Sequence, residues 1–118
     1  MTYQSDPPTS GIHDLTWVEP GFYDEPQRST RLVHALEHGN IVVYYDRPGP
    51  EELETIRRWT GLYQGQWSGV VVALRPGLKA KIILTAWNRI LRQNTLDSAG
   101  GAAFIDKFRG HGPEHPVR

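Results

Sequence analysis

The sequence predicts an α+β protein: a small mixed β-sheet with a βαββ core, two or three helices packed on it, and a long, ordered N-terminal loop. Three short apolar segments are typical of strands, and stretches with apolar residues at helical spacing precede and separate them. The chain of 118 residues has the length of one domain. We therefore treat residues 1–118 as a single domain and expect flexible tails at 1–6 and 112–118.

Local signals bound the predicted elements. Ser29 and Thr30 suit the start of a helix, and Gly39 suits the position after its last turn. Pro50 favours the first turn of a second helix, and the glutamates after it suit the positive end of the helix dipole. Residues 1–27 are rich in proline and glycine, which predicts a loop. The elements predicted in this way are a helix at 31–38, strands at 41–45, 70–74 and 81–87, a helix that begins at Pro50, and a last helix at 102–108.

The connections predict how the strands pair. The second helix joins the first two strands, so these should run parallel in a βαβ unit. An Arg-Pro-Gly turn at 75–77 predicts that the second and third strands form a hairpin. The third strand is expected to extend, after a break, toward Leu91, and Gly100 and Gly101 are expected to precede the last helix. These pairings give a small sheet with its helices on one face.

The composition excludes several classes of partner and site. Lys and Arg total 13 and Asp and Glu total 13, so the formal net charge is zero. The sequence therefore lacks the excess of basic residues that is typical of nucleic-acid-binding proteins. No apolar run approaches the roughly 20 residues of a membrane-spanning helix, and no signal peptide is recognisable. We therefore expect a cytoplasmic protein without membrane insertion. The sequence is compatible with a homo-oligomer. The chain contains no cysteine, which excludes disulfides, thiolate metal sites and a cysteine nucleophile.

Several segments together resemble one bacterial family. They are PPTSGIH at 7–13, GFYDEP at 21–26, LVHALEHG at 32–39, LTAWNR at 84–89 and FIDKFRGHGPE at 104–114. In this order they resemble the domain-of-unknown-function family 3105 over nearly the whole chain. The resemblance implies no settled activity, and it places His13, His34, Glu37 and His38 at the family's signature positions. It also implies relatives that are often membrane-anchored or exported.

The histidines predict a metal site. His34 and His38 are four residues apart, so on a helix their side chains lie on one face, roughly 6 Å apart, and can share one ion. On a strand the same spacing would be about 13 Å, so the chelate depends on the predicted helix. His13 would supply a third imidazole from the N-terminal loop. Three imidazoles with an open position are the ligands of catalytic zinc sites, and they also suit copper.

Other residues are candidates for the chemistry around this site. The chain has no cysteine and only the initiator methionine, so it lacks sulfur ligands for Cu⁺, and Zn²⁺ or Cu²⁺ is expected. Iron would need a carboxylate from Glu37 or Asp14 beside the histidines. Glu37 is the candidate catalytic base for water on the ion, or it orients an imidazole. The candidates for a pocket beside the site are Trp17, Tyr44, Trp87 and Glu114.

The residues leave the function open between two classes. The first is a metal-dependent enzyme that acts on a small molecule, with water or dioxygen activated on an ion held by three histidines. The second is a non-catalytic metal-binding or protein-interaction module with structural histidines, since 118 residues leave little room for a deep substrate cavity.

Two further histidine patterns carry less weight. The string HALEH at 34–38 also fits the H-x-x-E-H motif of inverted zinc proteases, but Gly39 ends the helix where that motif requires a long one. His111 and His115 share the same spacing as the pair on the helix. Glycine and proline lie between them and argue against a helix, so we assign both to the tail.

Overall fold

The structure is a computed structural model that describes residues 18–63, 68–77 and 81–110. Within these residues, five strands form one mixed sheet and three helices pack on it, which confirms the predicted α+β class. The expected tails, and most of the predicted N-terminal loop, lie outside the described residues. The elements are β1 Gly21–Tyr23, α1 Ser29–His38, β2 Ile41–Tyr45, α2 Pro50–Leu62, β3 Val70–Leu74, β4 Ile82–Ala86, β5 Arg89–Gln93 and α3 Ser98–Phe108.

Strand β2 lies at the centre of the sheet, whose strand order is β1-β3-β2-β4-β5. It runs parallel to β3, with Val42 beside Val71, and antiparallel to β4, with Val43 beside Leu84. The predicted parallel pairing of the two strands that α2 joins is therefore confirmed. All the side chains of β2 are buried, which agrees with its uninterrupted run of apolar and aromatic residues.

The predicted hairpin between β3 and β4 is wrong, because β4 pairs with β2 on the side away from β3. The connection crosses the end of β2 instead of folding back. Where it begins, the N–H of Arg75 donates to the carbonyl of Tyr45 at 3.0 Å. Where it ends, the N–H of Asp46 donates to the carbonyl of Lys81 at 3.0 Å, and the Asp46 carboxylate accepts from the N–H of Gly77 at 3.2 Å. Hydrogen bonds to the end of β2 thus hold the crossover.

Helices cover both faces of the sheet, which corrects the expectation that they lie on one face. Side chains alternate along β2, so Val42 and Tyr44 face α1 while Ile41, Val43 and Tyr45 face α2 and α3. Both sets are apolar or aromatic, so both faces need cover from water. The cluster under α1 contains Leu32, Ala35, Leu36, Val71 and Ile83, and the cluster under α2 and α3 contains Ile56, Trp59, Val72, Leu84 and Ile105.

Two strands depart from the elements predicted by the sequence. β1 is three residues long and lies within the predicted loop, and it is too short to show an alternating pattern. β5 follows a two-residue turn, Trp87-Asn88, in which Asn88 has a left-handed φ of 61°. The predicted extension toward Leu91 is therefore a separate strand that forms a hairpin with β4.

Helix α3 begins earlier than predicted. The carboxylate of Asp97 accepts from the N–H of Gly100 at 3.1 Å, which caps a helix that begins at Ser98. Gly100 and Gly101 therefore lie inside the helix and do not precede it. A Cβ atom on Gly101 would lie 2.6 Å from Cη2 of Trp59, so the close packing of α3 against α2 explains glycine at this position.

The N-terminus of α2 is held by Glu52. One carboxylate oxygen accepts from the N–H of Gly49, the residue before the helix, at 2.9 Å, and the other accepts from the N–H of Leu96 at 2.8 Å. The ammonium of Lys81 lies 3.6 Å from the first oxygen. The hydrogen bonds from Gly49 and Leu96, and the charge of Lys81, hold the pKa of Glu52 below its ordinary value of 4.5. This side chain therefore joins α2 to the segments that precede β4 and α3.

Replacing Glu52 with Gln is expected to lower the free energy of unfolding by about 1 kcal/mol at neutral pH, because an amide oxygen can replace only one of the two charge-assisted hydrogen bonds. The pKa of Glu52 is lower in the folded chain than in the unfolded chain. Its contribution is therefore complete at pH values well above 4.5 and is lost as the pH falls through the folded-state pKa. Urea unfolding of both proteins across this range measures the difference.

The matched control is Glu54→Gln, on an exposed part of the same helix, where the partner is Arg58 at 3.5 Å. We expect it to cost only about 0.3 kcal/mol, as exposed pairs of this spacing do. A deficit for Glu52→Gln that stays constant as the solution is made acidic would contradict the assignment.

Candidate metal centre

Helix α1 carries two histidines on its side away from the sheet. Leu32 and Leu36 face the sheet, and His34 and His38 follow them by two residues each, about 200° further round the helix. Both histidines are nevertheless buried, with relative exposures of 8% and 3%. Two polar rings on the outer side of α1 are therefore enclosed in the folded chain.

The end of α1 is fixed immediately after His38. Gly39 has a left-handed φ of 107°, and its N–H donates to the carbonyl of Leu36 at 2.9 Å. The N–H of Asn40 donates to the carbonyl of Ala35 at 3.1 Å. Together these bonds form a Schellman ending, so the predicted role of Gly39 is confirmed. The ending fixes the backbone that carries the second imidazole.

The imidazole rings of His34 and His38 contact each other edge to face, with centroids 4.5 Å apart and planes inclined at 75°. The helix on which a shared ion depends is confirmed. An ion about 2.0 Å from one nitrogen of each ring, with a ligand angle of about 90–110°, would place the centroids about 4.5–5.2 Å apart. The separation in the structure fits the lower end of this range. The same contact is also a favourable packing of two aromatic rings, so the geometry is compatible with both roles.

A complete metal site needs a further ligand. Among the described residues, no group of three or more His, Cys, Asp or Glu side chains lies close enough together to hold an ion. Glu37, half-buried in the last turn of α1, therefore does not complete such a group with the two histidines. The predicted third ligand, His13, and the alternative acid Asp14 lie outside the described residues.

The predicted pocket residues lie on the α1 face of the sheet or outside the described residues. Tyr44 is buried in the cluster beneath α1, and the guanidinium of Arg75 lies 5.4 Å from the centre of its ring. Trp87 packs against the same cluster from the turn between β4 and β5. Both rings thus belong to the face of the sheet that α1 covers, whereas the histidines lie on the outer side of that helix. Trp17 and Glu114 lie outside the described residues.

Sequence patterns did not single out Asn40, although its side chain is only 1% exposed. It follows Gly39 at a position where a Schellman ending usually places an apolar side chain, and this departure was the available signal. The carboxamide oxygen of Asn40 accepts from the N–H of Gly69 at 3.0 Å. The side chain therefore ties the end of α1 to the start of β3.

The whole sequence, residues 1–118, matches the family described as a protein of unknown function, DUF3105. No curated protein and no solved structure matches the chain. In the part of the chain that the structure describes, no helix is both long and apolar enough to cross a membrane. The match confirms the predicted resemblance to this family. The chain belongs to the DUF3105 family.

Proposed function

We propose that the chain binds one divalent transition-metal ion, Zn²⁺ or Cu²⁺, through His34 and His38 of α1 and through His13 as the third ligand. The observation that supports this most strongly is the contact between two buried imidazoles at 4.5 Å on one side of a helix. Two rings held together at this distance can bind an ion without rearrangement of the helix backbone. His13 is included because the sequence resemblance places it with the other two.

The types of ligand atom in the chain determine which ions suit the site. Imidazole nitrogen suits Zn²⁺ and Cu²⁺, whereas Cu⁺ favours sulfur, which this chain offers only at the initiator methionine. Iron in a site of two histidines and one acid would need a nearby carboxylate, and Glu37 forms no such group with the pair in the described structure. Zinc and copper are therefore the ions to examine first.

We propose that the site acts on a small molecule. When bound by three imidazoles, such an ion supplies Lewis acidity at an open position, where water can be activated. Glu37 lies beside His38 in the last turn of α1, half-buried, and it would accept the proton from that water. Its carboxylate would otherwise orient one of the imidazoles by a hydrogen bond.

A second candidate function is a non-catalytic metal site that stabilises the fold. The burial of both imidazoles favours it, because closed sites with four protein ligands are structural whereas catalytic sites keep a position open. The number of protein ligands on the bound ion distinguishes the two functions. X-ray absorption spectroscopy of the loaded protein measures that number.

Elemental analysis of the untagged protein by plasma mass spectrometry tests the proposal. We expect near-stoichiometric zinc or copper in the natural chain and none in the His34→Ala/His38→Ala variant. The control is His111→Ala/His115→Ala, which removes two histidines of the same spacing and should keep the metal. A natural chain that contains no metal and takes up neither Zn²⁺ nor Cu²⁺ would refute the metal site, and the histidines would then be structural.

A further inference from the structure

Two side chains hold the same peptide unit where α1 ends and β3 begins. The carboxamide oxygen of Asn40 accepts from the N–H of Gly69 at 3.0 Å. The guanidinium of Arg109, the residue after α3, donates from Nη1 to the carbonyl of Ser68 at 3.3 Å. These are the two polar groups of the Ser68–Gly69 peptide. The end of α1 and the end of α3 therefore meet at the start of β3.

Further contacts fix this meeting point. The N–H of Gly110 donates to the carbonyl of Gly39 at 2.7 Å, which places the backbone beside Arg109 against the backbone beside Asn40. The guanidinium of Arg109 also lies 5.2 Å from the centre of the Tyr63 ring, an arrangement that attracts a cation to the ring face. The positions of both side chains are thus set by several independent contacts.

Each of the two side chains has one donor without an acceptor. In the described structure, Nδ2 of Asn40 and Nε of Arg109 are buried and make no hydrogen bond. A buried N–H group without an acceptor loses its hydration and gains nothing in return. Folded proteins contain few such groups, so two that contact the same peptide require an explanation, and a bound ligand would provide one.

The donors define the chemistry of that ligand. The amide of Asn40 cannot be reversed, because its NH₂ group would then face the N–H of Gly69. With Nη1 of Arg109 engaged by Ser68, the Nε–H group remains, and guanidinium groups bind carboxylates and phosphates through such N–H groups. A ligand that satisfies both donors is therefore a hydrogen-bond acceptor, and the charge of Arg109 favours an anion.

We propose that this anion junction, defined by Asn40, Arg109 and the Ser68–Gly69 peptide, binds a small oxyanion such as a carboxylate or a phosphate group. The oxyanion accepts from Nδ2 of Asn40 and from Nε of Arg109. The site goes beyond the proposed metal centre, because none of its donors belongs to a histidine of α1.

Titration of the metal-free full chain with inorganic phosphate and with acetate, at constant ionic strength, tests the proposal. Isothermal calorimetry and backbone amide NMR are the two measurements. We expect saturable binding, with the largest amide shifts at Gly69 and Gly110. The same binding is expected in the His34→Ala/His38→Ala variant, which keeps the anion junction intact.

Two conservative variants remove one donor each. Arg109→Lys keeps the positive charge and lacks the Nε–H group, and Asn40→Asp keeps an oxygen for the N–H of Gly69 while replacing the NH₂ donor. Each should weaken binding by about tenfold or more, as expected for the loss of a charge-assisted hydrogen bond. Arg58→Lys, on an exposed part of α2, is the control and should leave the affinity unchanged.

Several outcomes would overturn the proposal. Equal affinity in the natural chain and in Arg109→Lys would mean that exposed basic residues bind the anion. If Asn40→Asp does not fold, the affinity of Arg109→Lys alone tests the proposal. Loss of binding in the His34→Ala/His38→Ala variant would assign the anion to the imidazoles of α1. Binding that is seen only after Glu114→Gln would mean that the chain's own carboxylate occupies the anion junction.

Discussion

Zinc added to the metal-free chain is expected to raise its free energy of unfolding by about 4 kcal/mol when the free ion is at about a thousand times its dissociation constant. The ion should stabilise the folded state, because α1 holds two imidazoles with ring centroids 4.5 Å apart, an arrangement that the unfolded chain does not maintain. Removing both rings in His34→Ala/His38→Ala should abolish the increase. Urea unfolding with and without zinc measures it, and the difference between the two conditions cancels the packing lost with the side chains.

The control for zinc bound elsewhere is again His111→Ala/His115→Ala, which should keep the full increase. His13→Ala should reduce the increase without abolishing it, because the pair on α1 would remain. An increase that survives in His34→Ala/His38→Ala would mean that the ion binds at another place, and the proposed metal centre would be wrong. If His13→Ala leaves the increase unchanged, His13 is not a ligand, and only this part of the proposed metal centre would be wrong.

The parts of the site that depend on local geometry could be predicted from the sequence. The spacing of His34 and His38 determines that they share a helical face, and Gly39 determines where that helix ends, so both could be inferred before the fold was known. The burial of the two rings could not be inferred in this way. Leu32 and Leu36 already account for the contact with the sheet, and the outer side of such a helix is usually exposed to water.

Features that depend on contacts between distant segments could not be predicted. The turn at 75–77 is typical of a hairpin, but the pairing of β4 with β2 shows that the chain crosses that strand. Strands that are consecutive in the sequence usually pair with each other. Strand β2 also has an edge that β3 does not occupy, and β4 pairs with β2 at that edge. The same holds for Asn40, whose partner Gly69 lies 29 residues away in the sequence.

Replacing Trp59 with Ala is expected to lower the free energy of unfolding by about 3–5 kcal/mol, because it removes a large ring from the core. The ring is 3% exposed and lies between α2 and α3, in one cluster with Leu84 and Ile105. Its edge occupies the space that a side chain on Gly101 would need, with 2.6 Å between Cη2 and the Cβ position. Urea unfolding monitored by circular dichroism measures the loss.

This contact makes a second substitution depend on the first. Gly101→Ala alone should destabilise the chain, because overpacking costs about 1–3 kcal/mol and the better helix propensity of alanine returns only about 1 kcal/mol. In the Trp59→Ala background the collision is absent, so the same change should stabilise the chain by up to about 1 kcal/mol. Gly61→Ala in α2 is the control, since its Cβ would meet no atom within 4 Å, and it should stabilise the chain in both backgrounds. An effect of Gly101→Ala that is the same in both backgrounds would show that Trp59 is not what requires glycine there, and that α3 does not pack on α2 as closely as the structure has it.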